Sequence, residues 1–505
     1  MKKRVLIITI CVLAFVWACD FPAGSGCNPP PPQITVTGPI GSDAGKGIAW
    51  GAALIDLSTR GYVEEEFFYE GEAARYDMEG EMTSDGMWAI SEAQKKSFKS
   101  RLLVRRPADP SKFNGTVVVE WFNVSGGADG APGWMFNQPM LIREGFAWVG
   151  VSAQKVGVDG GMAATSAAFG TSMAKYDPER YGSLSHPGDM YSYDMYTQAA
   201  KVIKGEGTME ILGGLKAEHL IAYGESQSAF TLITYTNAIQ PVAKIFDGLF
   251  IHSRAALAFP LGLQSVGGCS SVAGALEVRV RTDLDVPVVQ FETEGDISGF
   301  YTARQPDTDL IRTWEVAGTA HADFYLASYV NNAEVEENVP EAAEMFACDT
   351  GNKGPQYIVL RAALKGLDQW IKEGIALPNG QPLEMQGAQL IKDELGNAKG
   401  GIRMPHVEVP IAKLMPTGKF FNGNGGGEAG GCNMSSAACA IFGGTEPFSA
   451  DVLLGLYPTH DDYVAKVEAS VEKAVNDRFM LDEEAAAFLE KAKTSSIPAE
   501  YSDVW

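Results

Sequence analysis

The chain has 505 residues, with 40 Lys and Arg against 63 Asp and Glu, giving a formal net charge of −23. A surface this acidic repels nucleic-acid phosphates and anionic lipid headgroups, which argues against a nucleic-acid role. It favours solubility without identifying a substrate.

Residues 1–18 read as a secretory signal. Lys2, Lys3 and Arg4 precede the apolar run Val5–Ala18, which is short for a bilayer span and flanked as an export signal is. Its end, Val16–Trp17–Ala18–Cys19, is similar to the lipobox of bacterial lipoproteins and makes Cys19 the candidate lipidation site. Trp17 is unusual in such a box, so ordinary signal cleavage stays open. Losing residues 1–18 takes three basic residues from 40 and none from 63, so the mature balance is 37 against 63. Residues 19–33, with four consecutive prolines ending at Pro32, read as an extended tether. The expected location is the bacterial periplasm or cell surface, with a membrane contact through the lipid anchor if Cys19 is acylated.

Residues 34–400 carry the main domain. From Tyr62 to Tyr76 and from Phe98 to Arg106 the residues alternate as antiparallel edge strands do. Apolar runs follow at 116–122, 146–151, 220–223, 248–251, 286–291 and 311–316. Helix-competent segments at 191–212, 228–239 and 356–374 separate or follow them. Strand–helix alternation with continuously apolar strands predicts an α/β fold: a mostly parallel sheet with helices on both faces. Ligands of such sheets bind beyond the carboxyl ends of the strands. The segments at about 156–190 and 254–285 fit the alternation poorly and read as insertions on that end, forming a cap or lid or plain surface decoration. Residues 401–505 read as a C-terminal extension whose amphipathic stretch Asp461–Ala492 packs on the main body.

The stretch His219–Ile233 contains Gly224–Glu–Ser226–Gln–Ser228, where an apolar strand stops and a helix leaves with a serine at the apex. That is the pattern of a nucleophile elbow. A serine hydroxyl needs a base within hydrogen-bond reach, oriented by a buried carboxylate. Of the six histidines, His186 and His219 precede Ser226, His252 precedes any later acid, and His406 and His460 lie in the extension. His321, just past the run 311–316, is the expected base. The acid comes from Glu292–Thr–Glu294–Gly–Asp296, with Asp296 first, Glu294 second and Glu292 third. Oxyanion donors are expected from the N–H of Gln227 and from the loop Asn123–Gly127, at Val124 or its neighbour Asn123. Trp134, Tyr191, Tyr193 and Tyr301 are candidates for an aromatic substrate pocket. Cys432 with Cys439, and Cys269 with Cys348, are the candidate disulfides; Cys-x-x-Cys or His spacing for a metal site is lacking.

The blocks Glu120–Gly127, Tyr176–Leu184, His186–Asp189, Gly224–Ala229, Trp314–Asp323 and Gly400–Pro405 resemble those of large, often exported α/β-hydrolase-domain proteins of bacteria and fungi. The resemblance covers nearly all of the chain after the tether. It implies the α/β-hydrolase fold, with Ser226 and His321 in the matching motifs. The expected function is a serine hydrolase that cleaves carboxylic esters through an acyl-enzyme, needing neither metal nor organic cofactor. Its partner would be a small-molecule or polymer-derived ester. Alternatives on the same scaffold are a peptidase or amidase, an acyltransferase, or a surface binding protein without catalysis.

Overall fold

The computed structural model describes residues 34–160, 172–262, 277–330, 351–418, 441–502 and 504. All seven cysteines, and so every disulfide and lipidation candidate, fall outside these residues. The central sheet has nine strands in the order β1-β2-β3-β5-β4-β6-β7-β8-β9. They are β1 (Thr35–Thr37), β2 (Tyr62–Met78), β3 (Ile90–Pro107), β4 (Thr116–Trp121), β5 (Ala147–Val151), β6 (His219–Glu225), β7 (Gly248–His252), β8 (Val288–Thr293) and β9 (Ile311–Val316). Strands β1 to β3 pair antiparallel and β3 joins β5 antiparallel; every pairing from β5 across to β9 is parallel.

Successive strand residues point to opposite faces, and the core divides on that rule. Val117, Val119, Leu220, Ala222, Leu249 and Ile251 enter one cluster with helix Ser192–Ile203 and helix Gln227–Thr234. Val118, Ile221, Tyr223, Phe250 and Val289 enter the other, with helices Pro132–Arg143 and Gln356–Glu373. This second cluster also takes in Tyr463, Val467 and Val471 of helix His460–Asn476 and Phe488 of helix Asp482–Thr494. The C-terminal residues therefore share a core with the sheet. Covered faces explain why β4, Thr–Val–Val–Val–Glu–Trp, is buried at every position.

Strand β3 begins well before the Phe98 start expected from alternation. Its first residues are polar and mostly exposed, and backbone pairing with β2, rather than burial, keeps them extended. The described part of the first insertion is anchored on the antiparallel side: Arg180 Nε donates to Glu66 of β2 at 2.6 Å, and the Tyr181 hydroxyl donates to the same carboxylate at 3.0 Å. Strands β5 and β6 flank β4 on opposite sides, so the chain reverses its direction of growth across the sheet there. The crevice at the carboxyl ends of β4 and β6 is the place such a sheet offers a ligand.

Candidate active site

Ser226 follows β6 directly and opens helix Gln227–Thr234, with φ 55° and ψ −119°. Such a backbone is costly for a residue with a Cβ and projects the side chain off the strand end. The turn is tight. A Cβ on Gly224 would lie 2.8 Å from the Ser228 carbonyl oxygen, so the strand–helix crossing requires a glycine. Ser228 is small and buried, and its Oγ donates to the Glu225 carbonyl at 2.7 Å. The Ser226 N–H is held by the His252 carbonyl at 2.9 Å.

His321 Nε2 lies 2.7 Å from Ser226 Oγ, and His321 Nδ1 lies 2.6 Å from Asp296 Oδ1. Asp296, just beyond β8, also accepts from the Thr293 hydroxyl at 2.5 Å. Burial alone would raise its pKa, but the His321 charge and the hydrogen bonds from His321 and Thr293 outweigh that and hold it below the usual carboxylate range. The reverse holds for the ring. Burial works against the charged imidazole, yet the Asp296 carboxylate and, behind it, Glu225 push His321 up to about 9. The serine hydroxyl, imidazole and carboxylate thus form an unbroken hydrogen-bonded chain in which a proton leaving Oγ has a carboxylate-backed acceptor.

The other two acids have different surroundings. Glu294 is buried; its Oε2 accepts the Gly318 N–H at 2.7 Å, and its own N–H donates to the Thr319 hydroxyl at 3.0 Å. Gly318 has φ 76° and starts the loop that carries His321. Glu294 therefore holds the histidine loop rather than the ring. Glu292 is fully buried, and burial followed by the nearby Asp296 charge raises its pKa well above the ordinary carboxylate value.

The loop after β4 carries the first of the two N–H groups expected to serve as donors. Among the described residues the Val124 N–H is met only by the Gln227 side-chain oxygen, at a long 3.4 Å. The Gln227 N–H opens a helix, where N–H groups have no intrahelical acceptor. The Asn123 N–H is different: it donates to the Gly130 carbonyl at 3.0 Å and is committed to that bridge. Asn123 acts through its side chain instead, where Nδ2 donates to the Glu225 carbonyl at 3.1 Å and to Glu225 Oε2 at 3.0 Å. The loop is anchored below by Asp129, which takes Arg101 Nη2 at 3.1 Å, while Arg101 Nη1 reaches Glu66 at 3.0 Å.

Trp134 and Tyr191, expected to line an aromatic pocket, are buried in the two core clusters. Trp134 is buried on the helix-covered face, with Nε1 donating to the Tyr329 hydroxyl at 3.1 Å and its ring against Trp148 and Arg105. Tyr191 and Tyr193 are buried in the opposite cluster, and Tyr301 is half-buried. Large rings pack wherever they remove most apolar area from water, and sequence position alone does not show which face receives them. His252, the other strand-end histidine, is enclosed by Phe136, Tyr223 and Phe291; burial lowers it to about 3, so it stays neutral. Glu225, which sequence reasoning passed over, lies 3.7 Å from His321 Nε2. Its position between Gly224 and Ser226 was the available signal.

The fold is that of an α/β-hydrolase. Residues 36–490 match the α/β-hydrolase domain family, and the chain belongs to it. Among solved structures, it is similar to a serine hydrolase without a lid from Xanthomonas campestris, with 10% identity over 53% of this chain and 94% of the other, at a TM-score of 0.27. A glucuronoyl esterase from Solibacter usitatus shares 11% identity over 58% of this chain and 82% of its own, at 0.28. Fungal esterases from Rhizomucor miehei share 12% over 53% and 71%, at 0.23. No curated protein matches the sequence.

Proposed function

We propose that this protein is a serine hydrolase of carboxylic esters, working through an acyl-enzyme. The observation that carries this reading is the pair of contacts on one ring: His321 Nε2 to Ser226 Oγ at 2.7 Å and Nδ1 to Asp296 at 2.6 Å. Ser226 Oγ attacks the acyl carbon while its proton passes to His321 Nε2, and Asp296 stabilises the imidazolium. The Val124 and Gln227 N–H groups face the charge that develops on the carbonyl oxygen. His321 then gives its proton to the leaving alcohol, and the acyl group remains on Ser226. Water attacks the acyl carbon while His321 takes its proton; the acyl–Oγ bond then breaks, His321 returns the proton to Ser226 Oγ, and the acid leaves.

The test combines a fluorophosphonate probe with turnover of simple aryl esters. Labelling at Ser226, together with ester turnover lost in Ser226→Ala, supports the reading. A well-folded protein that neither labels nor turns over esters overturns it. Export with lipid attachment at Cys19 belongs to the same proposal, supported by the basic start, the apolar run and the Cys19 box. Metabolic labelling with palmitate, lost on Cys19→Ala, checks it.

A further inference from the structure

Two acids reach the His321 imidazole. Asp296 is on Nδ1. Glu225 is on the other side, its Oε1 at 3.7 Å from Nε2, the nitrogen that also contacts Ser226 Oγ. Glu294 has instead turned to Gly318 and Lys392. Glu225 is held tightly where it is. Its backbone pairs with His252 across β6 and β7, its carbonyl takes the Ser228 hydroxyl, and Asn123 Nδ2 grips both that carbonyl and Oε2. Asn123 is fixed in turn, because Oδ1 accepts the Ser125 N–H at 2.8 Å.

We propose that Glu225 is a second carboxylate on the catalytic base, held by Asn123 so that the imidazolium formed at Nε2 lies between two negative charges. The proposal rests on the reading of Ser226 and His321 given above. At 3.7 Å the carboxylate is outside hydrogen-bond range and does not draw the Nε2 proton away from the leaving alcohol. A buried carboxylate is unfavourable without a cation nearby, and His321 becomes one when it takes the Ser226 proton. The attraction is therefore weak in the resting site and strong as the proton transfers, which is the kind of interaction that lowers a barrier rather than only tightening binding. The charged and titratable groups facing Glu225 are His321 and Asp296 across the site, Glu120 on β4, Tyr223 on its own strand and the neutral His252 on β7. Burial pushes Glu225 up to about 7, with His321 opposing, Asp296 adding and Asn123 opposing, so the charge is present in the alkaline range where the ring is also free to accept a proton.

Glu225→Gln tests this. It removes the charge and keeps an oxygen for Asn123. The expected result is a fall in kcat of about 10²-fold, KM within a few-fold, and an acid limb of the kcat/KM profile moved to lower pH by about one unit or more. A direct NMR titration of the His321 ring in both proteins, which needs no turnover, should show the same downward shift. A strut without electrostatic function would lower Tm and leave both the acid limb and the ring titration where they are, and that result overturns the proposal. If the Gln variant does not fold, Asn123→Ser replaces it: the loosened carboxylate is harder to ionise, and the ring titration should move in the same direction by less. Wild-type protein that fails to label with fluorophosphonate removes the Ser226 reading itself. Wild-type that labels, with a Gln variant of unchanged profile, removes only the role of Glu225.

Discussion

Glu294 Oε2 accepts the Gly318 N–H at 2.7 Å, and through that bond an acid on the β8 side fixes the loop that delivers His321 from β9. Asp296 holds the ring and Glu294 holds the loop beneath it, so their substitutions should separate. Asp296→Asn should cut kcat by about 10³–10⁴-fold with little change in Tm. Glu294→Gln should lower Tm and reduce kcat less, since the ring keeps its own carboxylate partner. Steady-state kinetics with thermal melts decides, and equal losses of kcat would reject the assignment.

Ser226→Ala should abolish ester turnover, by at least about 10³-fold, while Tm stays close to the wild-type value. Gly224→Ala should behave differently. Its new Cβ would meet the Ser228 backbone at 2.8 Å and force the elbow apart, destabilising the fold by about 1–3 kcal/mol and lowering activity as well. Chemical denaturation of the two variants makes the comparison.

The pH profile should show a base that titrates late. Only neutral His321 can accept the Ser226 proton, and its pKa is raised to about 9 by Asp296 and Glu225 against the effect of burial. kcat/KM should therefore climb with pH towards about 9 and fall below it, and a profile already flat at pH 6 would contradict this. The stability linkage has the opposite slope. A folded-state pKa above the unfolded value of 6.5 means the folded protein holds this proton more tightly, so the contribution is complete below about 6.5 and fades as pH rises through about 9. Melts of wild-type and His321→Gln across that range would read this term as a difference.

Arg101→Met should be among the most damaging substitutions away from the reacting atoms. Arg101 is fully buried between Glu66 and Asp129, and its removal leaves the buried Asp129 without its arginine and Glu66 with Arg180 alone. The expected loss is about 3–5 kcal/mol. Because Asp129 ends the loop that carries the Val124 N–H, surviving protein should also show reduced kcat. An unchanged unfolding midpoint would contradict this account.

Much of this arrangement is readable from the chain because its strands are buried on both faces. Runs such as Val117–Val119 cannot be solvent-facing, and each leads into a loop that must lie on the ligand-binding end. The order serine, acid, histidine follows from that topology. What could not be read depends on the third dimension. Polar residues at the start of β3 are extended because β2 lies beside them. The aromatic rings of Trp134 and Tyr191 are in the core because neighbouring helices cover them. The availability of an N–H, as at Val124 rather than Asn123, depends on whether a carbonyl such as that of Gly130 has already claimed it.

The outer edge of β9 is met at its carboxyl end by the chain itself. Ile402 pairs in parallel with Val316, donating to the Glu315 carbonyl at 2.7 Å and accepting from Ala317 at 3.1 Å. A protein shortened to end near residue 400 would lose more than an appendage. It would bare the Glu315 carbonyl and the Ala317 N–H at the end of the edge strand, and uncover Trp314, whose ring meets Phe479 edge to face. Such a fragment would recruit other copies of itself through that edge and precipitate, so trimming this chain for expression should start from its amino end.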